Sequence, residues 1–127
     1  MSTPLRLGAF SISLNVQNIE ASKAFYEKLG FREMGGNIEQ KWLILRNENA
    51  IIGLFQGMFP QNILTFNPGW NEQGQQIDPF DDVRVIQQQL QQSGLTLQTS
   101  VDLNTAGPAH ITLIDPDGNQ ILIDQHR

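Results

Sequence analysis

The chain contains no cysteine. Disulfides, thiolate nucleophiles and zinc–thiolate sites are therefore excluded together. Basic residues are few: eight Lys and Arg stand against thirteen Asp and Glu, giving a net charge of -5. They are scattered, with no run anywhere. A nucleic-acid groove needs clustered cations to neutralise phosphate, so no nucleic-acid partner is expected. Acidity of this size mostly serves solubility and mildly favours a cationic ligand over an anionic one. Long apolar runs are missing too. The opening Met1-Ser2-Thr3-Pro4-Leu5-Arg6 has no stretch of signal-peptide length, and nothing approaches a membrane span. A cytoplasmic protein with no membrane partner is expected.

What is present fits one globular domain. The 127 residues are 39% hydrophobic and 17% charged, far from a disordered composition. Residues 9–16 alternate, with Phe10, Ile12, Leu14 and Val16 large and apolar between small or polar neighbours, which is the period of a half-buried strand. Asn18 offers an N-cap for a helix from Ile19 to Leu29, with Ser22, Phe25, Tyr26 and Leu29 on one stripe and Gly30 as its stop. Three strand-like runs follow at 31–34, 41–46 and 50–56, punctuated by Gly35-Gly36-Asn37 and Asn47-Glu48-Asn49. The order then starts again. A strand at 62–66 leads through a loop at 67–80 to a helix capped by Asp81 or Asp82. That helix carries Val83, Ile86 and Leu90 and ends at Gly94. Runs at 95–101, 109–114 and 120–124 read as strands, and the glutamines from Gln87 to Gln92 as a polar helix face. The pattern is α+β: two βαβββ modules, one spanning about residues 8–57 and the other about 61–126.

Two segments carry a family resemblance. Leu14-Asn15-Val16-Gln17-Asn18-Ile19 through Phe25-Tyr26-Glu27-Lys28-Leu29-Gly30-Phe31 is similar to the first strand and helix of the vicinal oxygen chelate (glyoxalase/bleomycin resistance/dioxygenase) superfamily. Asp115-Pro116-Asp117-Gly118-Asn119-Gln120-Ile121-Leu122-Ile123 resembles its last hairpin. The resemblance implies curled mixed sheets around a common cleft, commonly within a homodimer. Family enzymes hold a divalent metal there on four side chains, usually His, Glu or Gln. Those positions fall here at Ser11, Gly53, Asn62 and Leu122. Such a set lacks carboxylates and imidazoles, so no metal and no other cofactor is expected. The chain's only histidines are His110 and His126, and shifting a strand by one residue would turn its apolar side chains outwards.

The same alternation places Ser11, Asn15, Gly53, Phe55, Asn62, Phe66, Leu122 and Asp124 towards the implied cleft, with Gly53 leaving room. Asp115–Gly118 as a type I turn with a glycine bulge pairs Thr112 with Leu122 and His110 with Asp124. It also gathers Ile111, Leu113, Ile121 and Ile123 on the helix side. His110 beside Asp124 reads either as an acid–base pair or as an ordinary cross-strand polar pair. Trp42 is a ligand-stacking or a core residue, and Trp70 a lid or a docked loop anchor. The leading expectation is a metal-independent protein binding an uncharged or cationic small organic molecule, as a homodimer, with no catalytic residues. Two alternatives stand beside it. One is a lyase, isomerase or dioxygenase-related enzyme of the same fold using a non-metal site; the other is a dimeric structural or regulatory protein with a vestigial cleft.

Overall fold

The computed structural model describes residues 4–127; Met1, Ser2 and Thr3 of the opening segment lie outside them. Among the described residues seven strands and two α-helices form two compact units, in an α+β arrangement. No helix among them is long and apolar enough to cross a membrane.

One unit is Ser11–Leu64. Strand β1 (Ala9–Val16) lies parallel to β4 (Ala50–Gln56), and β3 (Trp42–Asn47) lies antiparallel to both β4 and β2 (Arg32–Asn37). The order is β2-β3-β4-β1. Leu43, Leu45 and Leu54 project from the sheet onto Ile19 of helix α1 (Ile19–Lys28), and Leu14, Val16 and Ile52 pack around them. Each of these fully buried aliphatics contributes about 2 kcal/mol by leaving water. Asn18 caps α1 as its sequence position requires, its Oδ1 accepting the Ala21 N–H at 3.0 Å. The helix seats on Ile19 and the half-buried Tyr26. Phe25 and Leu29, expected on the buried stripe, are each 58% exposed. Strand β2 also departs from expectation. It continues through Gly35-Gly36, read above as a break, because a bulge between Glu33 and Gly35 resets its register on β3. A short 3₁₀ turn, Ile38–Gln40, then supplies the connection.

The second unit is Thr65–Arg127 with the residues through Phe10. It holds β5 (Ile63–Asn67), helix α2 (Val83–Gln92), β6 (Ala109–Ile114) and β7 (Gln120–Gln125), in the order β5-β7-β6. Val83 and Ile86 of α2 pack on Ile111, Leu113 and Ile123, all buried, with Leu90 and Ile121 beside them. The β6–β7 register is the one the turn implied, Thr112 opposite Leu122 and His110 opposite Asp124. Gly118 sits at φ +88°, its N–H donating to the Asp115 carbonyl, while the Asp115 N–H reaches the Asn119 carbonyl, each at 3.0 Å. Asp82, not Asp81, caps α2, accepting the Arg84 N–H at 2.9 Å. Asp81 instead accepts from the backbone N–H of Arg6 and pairs with its guanidinium at 3.4 Å.

The run at 95–101 is not a strand; one isolated bridge joins Thr99 to Thr112. Its last residue, Val101, is held instead by Gln87, one of the glutamines assigned to the polar face of α2. Gln87 is 3% exposed. Its side-chain amide accepts the Val101 N–H at 2.7 Å and donates to the Val101 carbonyl at 2.9 Å. A side chain thus satisfies the backbone pair that a neighbouring strand would otherwise have satisfied.

Candidate functional site

In the Ser11–Leu64 unit, two cross-strand rows run over the sheet face opposite α1. Ser13, Gly53 and Ile44 form one; Asn15, Phe55 and Trp42 form the next. Trp42 and Phe55 stack at 6.3 Å with 8° between their planes, and Phe59 leans on Phe55 at 5.3 Å. The Trp42 indole N–H donates to Gln40 Oε1 at 3.4 Å. The Asn15 backbone N–H donates to Asn62 Oδ1 at 2.9 Å. Alternation therefore brings Asn15, Trp42, Phe55 and Asn62 into one hydroxyl-, amide- and aromatic-bearing surface, with Ser11 half-buried two residues up the strand from Ser13. The room expected at Gly53 is filled. A Cβ there would lie 2.6 Å from the Phe55 ring and 3.4 Å from Ile44 Cδ1.

In the other unit, Phe66 packs on Phe10 with ring centroids 5.1 Å apart. Leu122 is half-buried opposite Thr112, whose Oγ1 is buried without a hydrogen-bond partner. Sequence reasoning placed Thr112 in this register but gave it no role. His110 and Asp124 are backbone register partners, yet their side chains do not meet. His110 is exposed, and the Asp124 carboxylate lies 3.1 Å from His126 Nε2 instead. His126 in turn stacks on Trp70 at 4.7 Å with 16° between rings. An acid–base pair of His110 and Asp124 is therefore not assembled.

Trp70 is a docked anchor of the 67–80 loop. Its N–H donates to the Asn67 carbonyl at 3.2 Å and its carbonyl accepts the Ala9 N–H at 3.0 Å. Gly8 makes this approach possible, since a Cβ at its φ of +81° would overlap the Asn67 carbonyl. Arg127 binds the far side of the loop, donating to the Gly69 and Ile77 carbonyls and to Asp78 Oδ1, with its guanidinium 4.1 Å above the Phe80 ring. The loop's length and its tryptophan hinted at such an anchor. The clamping roles of His126 and Arg127 carried no sequence signal.

The donor set at the four positions that the resemblance assigns does not suit a metal. Ser11 offers a hydroxyl, Asn62 an amide oxygen that already accepts the Asn15 N–H, and Gly53 and Leu122 offer nothing. Among the described residues, no three His, Asp or Glu side chains are grouped so that they could hold an ion.

No known family model matches the sequence, and no curated protein sequence is significantly similar to it. Solved structures are. A glyoxalase/bleomycin resistance protein/dioxygenase superfamily member from Vibrio splendidus 12B01 superposes with a TM-score of 0.61 at 15% identity, covering 91% of this chain and 97% of that one. The fold is that of the glyoxalase/bleomycin resistance/dioxygenase superfamily. A second structure, described as an NAD-dependent benzaldehyde dehydrogenase from Legionella pneumophila, superposes with a TM-score of 0.66 at 16% identity, covering 93% and 99%. Two so differently described proteins on one superfamily fold show that function must be argued from the site.

Proposed function

We propose that this chain is a metal-independent small-molecule-binding protein of the glyoxalase/bleomycin-resistance type. One observation carries the reading: the positions where this fold holds a metal carry Ser11, Gly53, Asn62 and Leu122, with Asn62 engaged and Gly53 covered by Phe55. The surfaces around them keep the character of a ligand site, apolar and aromatic with a few polar groups. Stacked Trp42 and Phe55 supply the first, and Thr112 Oγ1, buried without a partner, supplies a polar atom that a ligand or an ordered water would satisfy. The contacts we assign to the ligand are Ser11, Asn15, Trp42, Phe55, Asn62, Phe66, His110, Leu122 and Asp124, with Gly53 beneath Phe55. The separation of His110 from Asp124 disfavours the enzymatic alternative, because a general base needs its orienting partner within hydrogen-bond reach.

The reading includes an uncharged or cationic ligand, a single domain of two modules, a homodimer and a cytoplasmic setting. Thermal-shift measurements with a panel of neutral, cationic and anionic aromatic compounds, run in excess chelator, test the central part. Stabilisation by neutral or cationic members, weakened by Trp42→Ala, is expected. Stabilisation that chelator abolishes counts against it. Sedimentation at micromolar concentration should show a dimer, and a 14.3 kDa species would contradict that part.

A further inference from the structure

The 67–80 loop encloses a concavity of about 330 Å³, lined by Trp70, Ile77, Pro79 and Phe80, with Arg6 and Glu72 as its charged residues. That volume lies at the small end of the range for ligand pockets. Its walls are fixed before any ligand arrives. His126 backs the Trp70 ring, Arg127 backs Phe80, and the Arg127 guanidinium ties Gly69, Ile77 and Asp78 together. Preorganised walls of this kind reduce the ordering cost of binding.

The charges are unequal. Arg6 is neutralised by Asp81, which takes both its backbone N–H and its guanidinium. Among the described residues, Glu72 has no ion-pair partner and accepts no hydrogen bond. The Trp70 indole N–H likewise has no acceptor among the described residues. A half-buried carboxylate without a counter-ion, beside tryptophan and phenylalanine rings, favours a cation both by charge and by the quadrupole of the rings. An anion would meet Glu72 with no unpaired cation among the described lining residues to offset it.

We propose that this pocket is a second binding site, for a small aromatic or alicyclic amine whose apolar body lies against Trp70 and Phe80 and whose ammonium faces Glu72. It is separate from the Trp42 surface and does not depend on that surface binding anything. The two tryptophans give the test, because each contributes one indole N–H signal in a ¹⁵N correlation spectrum, assigned through Trp42→Phe. Titrating 1-naphthylmethylamine should shift the Trp70 signal saturably, with a Kd of about 1 mM or tighter. 1-Naphthoate, of the same shape and opposite charge, should leave that signal in place. Glu72→Gln, a surface change that preserves the rest of the spectrum, should weaken amine binding about fivefold, the value of one partly exposed ion pair. A Trp70 signal unmoved by the amine overturns the proposal. So does equal binding of the naphthoate, or an unchanged Kd in Glu72→Gln. A shift of the Trp42 signal alone overturns it too, while leaving the function proposed above intact.

Discussion

The two units solve the same packing problem with different chemistry. The Ser11–Leu64 unit is held by an aliphatic core, and its polar anchors are single bonds: Asn18 caps α1, and Gln56 Oε1 accepts the Ile19 N–H at 2.9 Å. The other unit adds a connected polar network under α2. Arg84, whose side chain is 10% exposed, donates to Asp82, to Thr105 Oγ1 and to the Gly107 carbonyl. Gln125, almost fully buried, accepts the Val83 N–H and donates to Asp82, the Gly107 carbonyl and the Arg127 carbonyl. Gln87 adds a separate buried pair of bonds at Val101. The difference follows from the loops. Residues 93–108 and 68–80 form no regular ladder, so their backbone groups need side-chain partners. A unit with long irregular connections has to bury polar side chains to hold them.

Breaking the network should therefore cost more than breaking the single anchors. Arg84→Ala is expected to destabilise by about 3 kcal/mol, since it removes the donor to Thr105 Oγ1, one of the two donors to the Gly107 carbonyl and the counter-ion of Asp82. Asp82 is a third exposed, so water limits the loss to the low end of the range for buried pairs. Chemical denaturation measures it. Gln87→Leu should cost about 2 kcal/mol by orphaning the Val101 N–H and carbonyl, with faster hydrogen exchange at the Val101 amide. The matched change in the other unit, Gln56→Leu, removes one acceptor at a helix start and should cost about 1 kcal/mol. Equal losses for the two glutamines would remove the contrast between the units.

Acid should act on the network as well. Burial tends to raise the Asp82 pKa, but hydrogen bonds from the Arg84 backbone, Gln125 and the Arg84 guanidinium outweigh it and hold the carboxyl below its ordinary value. A carboxyl depressed in the folded state contributes stability above its unfolded pKa, near 3.8, and loses it as pH falls through the lower folded value. Stability should thus decline below about pH 3.8, and more shallowly in Asp82→Asn. Urea midpoints at pH 7 and pH 3 check this, and parallel slopes for the two proteins would refute it.

Legibility in the sequence followed the same division. Period-two alternation marked β1, turn residues at 47–49 set off β4, and the turn chemistry of Asp115–Gly118 set the β6–β7 register to the residue. Both signals are local. The run expected as a strand at 95–101 keeps one bridge to Thr112 and ends at Val101 on the side chain of Gln87, 14 residues away, a partner that no periodicity records. Asp124 met His126 and not His110 because the choice is made by a rotamer at a strand end, with Trp70 stacking behind it. Gly53 looked like space, since the sequence does not show where the Phe55 ring folds. Hydrophobic and turn patterns specify the scaffold, while long-range polar partners decide the surfaces that bind.

The claim beneath the proposed function is that this superfamily fold works here without its metal. Elemental analysis of protein purified without a histidine tag, after dialysis against a mixture of zinc, nickel, iron and manganese, tests it most directly. The account predicts well under one-tenth of an equivalent of any of them per chain, because Ser11, Gly53, Asn62 and Leu122 cannot displace the water of a divalent cation, an order-of-magnitude expectation from ligand chemistry. A content near one equivalent, lost on Asn62→Ala, would contradict it.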